Sequence, residues 1–225
     1  MIKEDKSVLK KRWMRKEKSV YNLKDNIDRL KRKIRSDLNS SDEKSVLTAC
    51  IIRIMMKTSE RVGNGDSAQN GHFGITELKP HHIMITGNQV TLKYKGKSGV
   101  DHEKSFSDEA VADILQKLKK RMHTKIFTTD EGFEIRADKV NRYLKPFNAN
   151  AKDIRGYNCN EYVVRELQSI GKVSDEKERP KIFNQVLRKV AKKIGHGAAT
   201  LRKHYLLPEI EKSFYATGSI KKIKL

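Results

Sequence analysis

Residues 83–106 form three short runs of alternating apolar and polar side chains, and this pattern constrains the fold more than any other feature of the chain. The runs are separated by a Gly87-Asn88 dipeptide, which is typical of a two-residue hairpin, and by a tight turn at residues 96–99. The predicted strands are Ile83–Thr86, Val90–Tyr94 and Val100–Phe106. We therefore expect one small antiparallel sheet whose second hairpin carries Lys97 at its tip.

Helical patterns lie on both sides of this predicted sheet, because apolar side chains recur there every three or four residues. The predicted helices cover residues 46–55, 108–122, 137–147, 152–170 and 182–194. Ser40 and Glu43 predict a capping box before the first of them. Two further short strands are expected near Gly74–Leu78 and at Ile126-Phe127. The expected fold class is α+β and mostly α, a helical domain with a small three-stranded antiparallel sheet.

The first 40 residues differ from the rest because they are dense in lysine and arginine. Apolar residues recur there at helical spacing and define one stripe on a basic helix, at Val20, Leu23, Ile27, Leu30 and Ile34. We expect the stripe to pack on the body of the protein and the basic face to lie along phosphates. The chain is therefore divided into an N-terminal helical segment, residues 1–40, and a main domain, residues 41–225.

The chain has 49 lysines and arginines against 28 acidic residues, which gives a formal charge of +21 over 225 residues. Such a balance indicates a polyanionic partner, with nucleic acid preferred over an anionic membrane surface. No run of about 18 apolar residues predicts a membrane span, and no apolar segment follows the basic N-terminus as a secretory signal would. We expect an intracellular location. Cys50 and Cys159 lack the spacing of a zinc or disulfide motif, so no metal site is expected.

Two basic residues stand out beside glycine-rich turns. Arg61 follows the first predicted buried helix and enters a Val-Gly-Asn-Gly turn, where a permanently charged guanidinium has the shape to make two hydrogen bonds to a phosphate. The alternative is an arginine that only complements the helix dipole. Lys97, at the predicted hairpin tip, is either a solvated charge that protects a sheet edge or a proton donor that reaches into a groove.

The remaining candidates lie towards the C-terminus. Lys152 and Arg155 share one face of a predicted helix near its N-terminal end, where backbone N–H groups also favour anions. His196 follows Gly195 directly, and Tyr205 comes nine residues later. An imidazole that binds phosphate beside a phenol nucleophile fits this spacing. The alternative is an exposed helix end with an amphipathic tyrosine.

Taken in order, these residues resemble the catalytic domain of type IB DNA topoisomerases, as found in poxviruses and bacteria. The resemblance runs from about residue 41 to about residue 210 and rests on Glu-Arg61-Val-Gly-Asn, Gly-Lys97-Ser-Gly, Lys152-x-x-Arg155 before Gly-Tyr-Asn, Gly-His196 and Tyr205. Tyrosine recombinases belong to the same superfamily and share the segment from the histidine to the tyrosine. They typically carry His-x-x-Arg at the third motif, so Lys152 favours the topoisomerases.

The resemblance implies a mechanism for relaxing supercoiled DNA. Tyr205 attacks the scissile phosphodiester, forms a 3′-phosphotyrosyl bond and releases a 5′-hydroxyl strand that rotates before religation. A phenol is mostly protonated near neutral pH and needs help to act as a nucleophile. The resemblance gives that help to Arg61, Arg155 and His196, which bind the non-bridging oxygens, and to Lys97, which protonates the leaving oxygen.

The resemblance also implies a DNA-binding role for Lys152, either as a second proton donor or through phosphate contact alone. The implied partner is double-stranded DNA, which the protein binds as a monomer. No cofactor is implied, because the phosphotyrosine conserves the energy of the broken phosphodiester. The sequence agrees, since it has no Gly-x-x-x-x-Gly-Lys-Ser/Thr loop and no acidic cluster suited to Mg²⁺.

Two other functions stay open at this point. A tyrosine recombinase or integrase would exchange strands between two specific sites as a multimer, and a non-catalytic remnant would bind DNA without a covalent adduct. One departure from the family bears on the choice. Its members usually carry a strand-rich N-terminal lobe that closes over the DNA, whereas only residues 1–40 precede the expected catalytic domain. We expect either a fragment or a minimal enzyme that uses this helix as a partial clamp.

The partial clamp predicts weaker DNA affinity, lower site selectivity and greater salt sensitivity than a two-lobed enzyme would show. Each phosphate contact contributes about −0.9 to the slope of log K against log salt concentration, so several contacts give a steep slope. Fluorescence anisotropy with a labelled duplex, between about 50 and 200 mM salt, measures it. A slope no steeper than that of a single contact would contradict the prediction.

Overall fold

The computed structural model describes residues 6–121 and 123–220, except for the side chains of residues 6–10, 12, 67 and 98. The chain forms two compact units. We call Met1–Asp25 with Arg155–Leu225 the helical unit, and Asn26–Ile154 the sheet unit. Helices α1 (Lys6–Asp37) and α6 (Ala151–Ile170) contribute residues to both. No described helix combines the length and the apolar composition that a membrane span requires.

A three-stranded antiparallel sheet gives the sheet unit its name. In sheet order the strands are β1 (Ile83–Thr86), β2 (Gln89–Lys95) and β3 (Asp101–Ser107). Alternate residues of the central strand, Val90, Leu92 and Tyr94, are buried, as period-two alternation requires of a sheet with one face on the core. The predicted sheet is confirmed, and no strand end differs from its predicted position by more than one residue.

Helix α2 (Glu43–Thr58) forms the centre of the sheet unit. Its residues from Leu47 to Met55 are buried apart from Arg53, so this helix is apolar around most of its circumference. It contacts β3, α4 (Glu109–Lys119) and α5 (Ala137–Leu144). The short helix α3 (Gly65–Gln69) lies within a segment that reads as a loop in the sequence.

The helical unit consists of segments of α1 and α6 together with α7 (Arg179–Lys193), α8 (Ala198–His204) and α9 (Pro208–Thr217). Phe183 of α7 and Phe214 of α9 are fully buried, and their ring centres are 5.9 Å apart.

The helices predicted at residues 108–122, 137–147, 152–170 and 182–194 correspond to α4, α5, α6 and α7. Their bounds shift by a few residues, and the second ends in a 3-10 turn at Lys145–Phe147.

Three local predictions are wrong. Ile75–Glu77 forms a 3-10 turn in place of the strand predicted near residues 74–78. The helix α2 is capped by Asp42, whose carboxylate accepts a hydrogen bond from the Ser45 N–H at 3.1 Å, and not by a box built on Ser40. The strand expected at residues 126–127 is reduced to an isolated bridge between Thr128 and Glu134. Tertiary contacts override the two predicted strands, since the N–H of Ile75 donates to Arg61 and the N–H of Ile126 donates to Leu78, whereas the cap differs only in which nearby side chain accepts the bond.

His82 ends a 3-10 turn beneath the sheet and is almost fully buried. Its Nδ1 accepts a hydrogen bond from the Lys79 N–H at 3.1 Å, and its ring centre lies 4.5 Å from that of Phe73. Burial, with smaller effects from the charges of His81 and Lys79, lowers the pKa of His82 to about 4. Protonation would also cost the hydrogen bond to Nδ1.

This shift predicts a loss of stability in mild acid. The unfolded chain binds a proton at His82 near pH 6.5, whereas the folded chain does not until about pH 4. The contribution is therefore complete above pH 6.5 and is lost as the pH falls towards 4. We expect His82 to remove about 2 kcal/mol of unfolding free energy between pH 7 and pH 5. Urea unfolding at pH 7 and at pH 5 measures the change in the free energy of unfolding. His82→Asn is the control, because its side chain keeps an acceptor but does not titrate. An equal pH dependence of unfolding in the two proteins would refute the prediction.

Candidate active site

Three of the predicted site residues come together in the helical unit. The guanidinium carbon of Arg155, on α6, lies 5.9 Å from the centre of the Tyr205 ring. The centre of the His196 ring lies 5.4 Å from the same point. Arg155 is only 2% exposed, whereas His196 and Tyr205 are half-buried. The fold thus gathers two side chains that can bind an anionic oxygen around one accessible phenol.

The way in which α7 ends positions His196. Gly195 has a φ of 68°, in the left-handed region that favours glycine. The N–H groups of Gly195 and His196 donate back to carbonyls of α7 at 3.2 and 2.8 Å, which is the pairing of a Schellman motif. Arg155 also donates to the carbonyl of Ile194 in this turn. One helix end therefore holds both the arginine and the histidine.

Tyr205 is the C-terminal cap residue of α8. Its N–H donates to the carbonyl of Leu201 at 2.9 Å. Leu201 and Leu206 are buried on either side of it, and they anchor the backbone while the phenol stays accessible. Helix α8 carries Arg202, Lys203 and His204 in its last turn, where basic side chains complement the negative end of the helix dipole.

Asn160 of α6 is a site residue that sequence reasoning missed. Its amide nitrogen donates to the carbonyls of Gly156 and Tyr205, both at 2.8 Å. Its Oδ1 accepts from the N–H of Leu207, also at 2.8 Å. The side chain is fully buried, so each of these hydrogen bonds is made away from water. The only signal in the sequence was a pair of asparagines, Asn158 and Asn160, in a helical pattern, and the partners of Asn160 at Tyr205 and Leu207 are 45 and 47 residues away.

Arg61 belongs to the sheet unit and follows the end of α2. Ser59 caps that helix in the left-handed region, with a φ of 60°. The chain then becomes extended, and the carbonyl of Arg61 accepts from the N–H of Ile75 at 2.9 Å. Beyond it, Gly63 and Gly74 are so close that a Cβ on Gly74 would lie 2.3 Å from the Gly63 Cα. The glycine-rich turn predicted from the sequence is thus needed for a close approach of two backbone segments.

A buried carboxylate connects the Arg61 segment to the sheet. Glu60 is 1% exposed and accepts hydrogen bonds from the hydroxyl of Tyr94, at 2.7 Å, and from Nδ1 of His102, at 2.9 Å. Lys104 lies 4.0 Å from the same carboxylate. Tyr94 and His102 face each other on β2 and β3, the two strands that carry the Lys97 hairpin. This cluster fixes Arg61 relative to that hairpin within the sheet unit.

Lys97 and Lys152 are exposed residues of the sheet unit. Lys97 opens the 3-10 turn Lys97–Gly99 between β2 and β3, so its predicted position at a hairpin tip is confirmed. Lys152 lies in the first turn of α6. The expectation that this helix end offers N–H groups to an anion is wrong, because those of residues 151 and 152 donate to the side chains of Asn141 and Asn150 at 2.9 Å.

The fold class expected from the sequence, a mostly helical α+β protein with a three-stranded hairpin sheet, is the class that the structure defines. Residues 5–222 match the family described as eukaryotic DNA topoisomerase I, catalytic core. Because this match covers nearly the whole chain, the chain belongs to that family. The resemblance to type IB topoisomerases is therefore confirmed, and the matched region also includes all of α1.

A curated relative is the DNA topoisomerase 1B of Acanthamoeba polyphaga mimivirus, which is 24% identical to this chain over 206 residues. The alignment covers 84% of this chain and 61% of the viral protein, so the chain spans about three fifths of that relative's length. Two solved structures of the XerH site-specific recombinase bound to difH substrates, in post-cleavage and pre-cleavage complexes, are similar at TM-scores of 0.48. They are 13% and 14% identical and cover 83% of this chain and 47% and 48% of theirs.

The hydrogen bonds of Asn160 predict that Asn160→Asp destabilises the protein by about 2–4 kcal/mol. Aspartate keeps the acceptor for Leu207 but loses both donors, so two carbonyls lose a partner and a charge is buried. Urea unfolding at pH 7 measures the change. Asn184→Asp is the matched control, because Asn184 only accepts a hydrogen bond, from exposed Arg202 at 2.6 Å. A loss no larger than that of the control would contradict the assigned hydrogen bonds.

Proposed function

We propose that this protein relaxes supercoiled DNA as a type IB topoisomerase, by transient cleavage of one strand through a 3′-phosphotyrosyl intermediate. The observation that carries the proposal is the convergence of the Arg155 guanidinium and the His196 ring on the Tyr205 phenol, at 5.9 and 5.4 Å. The chain belongs to the topoisomerase I catalytic core family. Arg155, His196 and Tyr205 are three of the residues on which the resemblance to type IB topoisomerases rests.

The proposed reaction is a pair of opposite transesterifications. The Tyr205 oxygen forms a bond to phosphorus and loses its proton to solvent, while the bond from phosphorus to the 5′-oxygen breaks. Lys97 gives the 5′-oxygen its proton. In religation the 5′-hydroxyl attacks the phosphotyrosine and Lys97 takes its proton, while the bond from phosphorus to Tyr205 breaks and the phenol regains a proton from solvent. Since each step exchanges one phosphodiester for another, the reaction needs no nucleotide hydrolysis.

The cationic side chains stabilise the charge that develops on the non-bridging oxygens of the transition state. Arg155 and His196 bind them from the helical unit. Arg61 supplies a second guanidinium in the geometry suited to a phosphate. Lys152 contacts the DNA and assists as a second proton donor or by charge alone. The exposed position of Lys97 on a hairpin tip supports its role, because an accessible side chain can approach a leaving group in a groove.

The proposed partner is double-stranded DNA, bound by a monomer that works where that DNA is found. The formal charge of +21 supports this partner, since phosphate contacts dominate sequence-independent affinity. Residues 1–40 act as a basic helical segment that contributes to DNA binding, and residues 41–225 act as the catalytic domain.

The proposal predicts relaxation of supercoiled plasmid in the presence of EDTA and without ATP. Tyr205→Phe is expected to reduce relaxation at least about 10³-fold and to abolish the covalent protein–DNA adduct, because a benzyl side chain has no nucleophilic oxygen. Plasmid relaxation and a denaturing gel measure the two effects. Tyr162→Phe is the matched control, since the Tyr162 ring only packs under Lys193, 3.8 Å from its ammonium nitrogen, and the variant should relax DNA normally.

The same assay separates the alternatives. A wild-type adduct on one particular sequence, with strand exchange but no relaxation of positive and negative supercoils, would identify a tyrosine recombinase. DNA binding without any adduct would identify a non-catalytic protein. Either result would overturn the proposal.

A further inference from the structure

We propose that Lys16 of α1 is a positioning residue for Tyr205. This inference rests on the proposed function, because it takes Tyr205 as the nucleophile. The sequence assigns α1 only to packing and to phosphate contact. In the structure, Lys16 of this helix instead donates hydrogen bonds to the backbone around Tyr205, within the helical unit.

The ammonium group of Lys16 binds the main chain on both sides of Tyr205. Its Nζ donates to the carbonyl of Lys203 at 3.1 Å and to the carbonyl of Leu206 at 2.9 Å. Lys203 lies in the last turn of α8, and Leu206 follows Tyr205. The last carbonyls of a helix have no intrahelical partner, and a cation at that end is favoured both by hydrogen bonding and by the helix dipole.

Lys16 and Asn160 bind different peptide groups of the segment from Lys203 to Leu207. Asn160 takes the carbonyl of Tyr205 and the N–H of Leu207, whereas Lys16 takes the carbonyls at positions 203 and 206. The N–H groups of residues 205 and 206 both donate to Leu201 within α8. The peptide groups around the tyrosine are therefore held from α6 by Asn160 and from α1 by Lys16.

The length of α8 makes such support necessary. Helix α8 has seven residues, and an isolated helix of fewer than about 12 residues is marginal in water. Leu201 anchors it through apolar contact, but apolar contact is not directional, whereas a charge-assisted hydrogen bond fixes an orientation. Without Lys16, the backbone of Tyr205 would keep only its hydrogen bonds to Asn160 of α6 and to Leu201 of α8 among those described.

Helix α1 is itself fixed in register beside this segment. Val20 and Leu23 are fully buried in the helical unit, and the hydroxyl of Tyr21 donates to Glu209 in the first turn of α9. Burial, and then the hydrogen bond to Glu209, raises the pKa of the Tyr21 phenol. Lys16 therefore projects from a helix that is tied to the elements after Tyr205, and its reach to the two carbonyls is constrained.

The expected consequence is catalytic. A nucleophile displaced by a fraction of an ångström loses rate, because the reacting atoms leave their aligned arrangement. DNA affinity should change little, since the ammonium group of Lys16 is directed at carbonyls, whereas Lys18 on the same helix is exposed. A positioning role thus predicts a slower chemical step at unchanged DNA affinity. A phosphate contact predicts a lower DNA affinity at an unchanged rate of the chemical step.

The test compares Lys16→Met with Lys18→Met, which removes the same charge from the same helix. The adduct-forming rate is measured under single-turnover conditions at saturating duplex, and the DNA dissociation constant is measured for each change in a Tyr205→Phe background. We expect Lys16→Met to slow adduct formation about tenfold with a dissociation constant within about twofold of wild type. Lys16→Arg should restore most of the rate, because a guanidinium also donates to two carbonyls. Lys18→Met is the comparison for a phosphate contact, because Lys18 is exposed in the basic segment: it should weaken DNA binding and leave the adduct-forming rate at saturating duplex unchanged.

Amide hydrogen exchange provides a readout that does not depend on catalysis. Lys16→Met is expected to speed exchange about tenfold in peptides covering residues 201–207 and to leave peptides of α7 unchanged. A Lys16→Met protein with normal rate and normal exchange, or with lost affinity at a normal rate, would overturn the inference. A wild-type protein that forms no adduct would instead overturn the proposed function, and the exchange data would then decide alone whether Lys16 orders the segment.

Discussion

The hydrogen bond from Arg155 to the carbonyl of Ile194 is the interaction on which the geometry of the helical unit depends most. A guanidinium with 2% exposure has lost its hydration and is costly unless protein acceptors replace water. The end of α7 presents carbonyls that also need partners. Arg155 donates to the Ile194 carbonyl of that end, and the left-handed turn at Gly195 directs His196 towards the same phenol.

Helix ends supply the orientation of all three gathered side chains. His196 follows the end of α7, and Tyr205 caps α8. Backbone groups at such ends are satisfied by side chains from other elements, in this case Arg155 and Asn160 of α6 and Lys16 of α1. Hydrogen bonds constrain direction as well as distance, so a site assembled in this way is oriented more firmly than one that rests on apolar contacts. The buried Glu60 performs the corresponding task for Arg61 in the sheet unit.

Sequence reasoning succeeded where the physical signal is local. The hairpins were predicted because period-two alternation and turn glycines can be recognised within ten residues, and the helix predicted over residues 182–194 ends within one residue of its predicted end. Asn160 and Lys16 were missed because their partners lie 45 or more residues away. A polar side chain in a helical pattern shows that a partner is needed, but it does not identify that partner. The 3-10 turn at Ile75–Glu77 was misread as a strand for a related reason, since its N–H groups pair with the distant Arg61 segment.

The structure also changes what the net charge implies for DNA. Lys16 donates to backbone carbonyls, and Arg179, which is 7% exposed, donates to the carbonyls of Tyr215 and Ala216 at the end of α9. Cations held in this way fix the protein's own backbone, so in the proposed DNA complex they are expected to release few counterions. Exposed side chains such as Lys97 and Lys152 are the ones that contribute to the salt dependence of binding. In the proposed DNA complex, we therefore expect fewer phosphate contacts than the formal charge of +21 suggests.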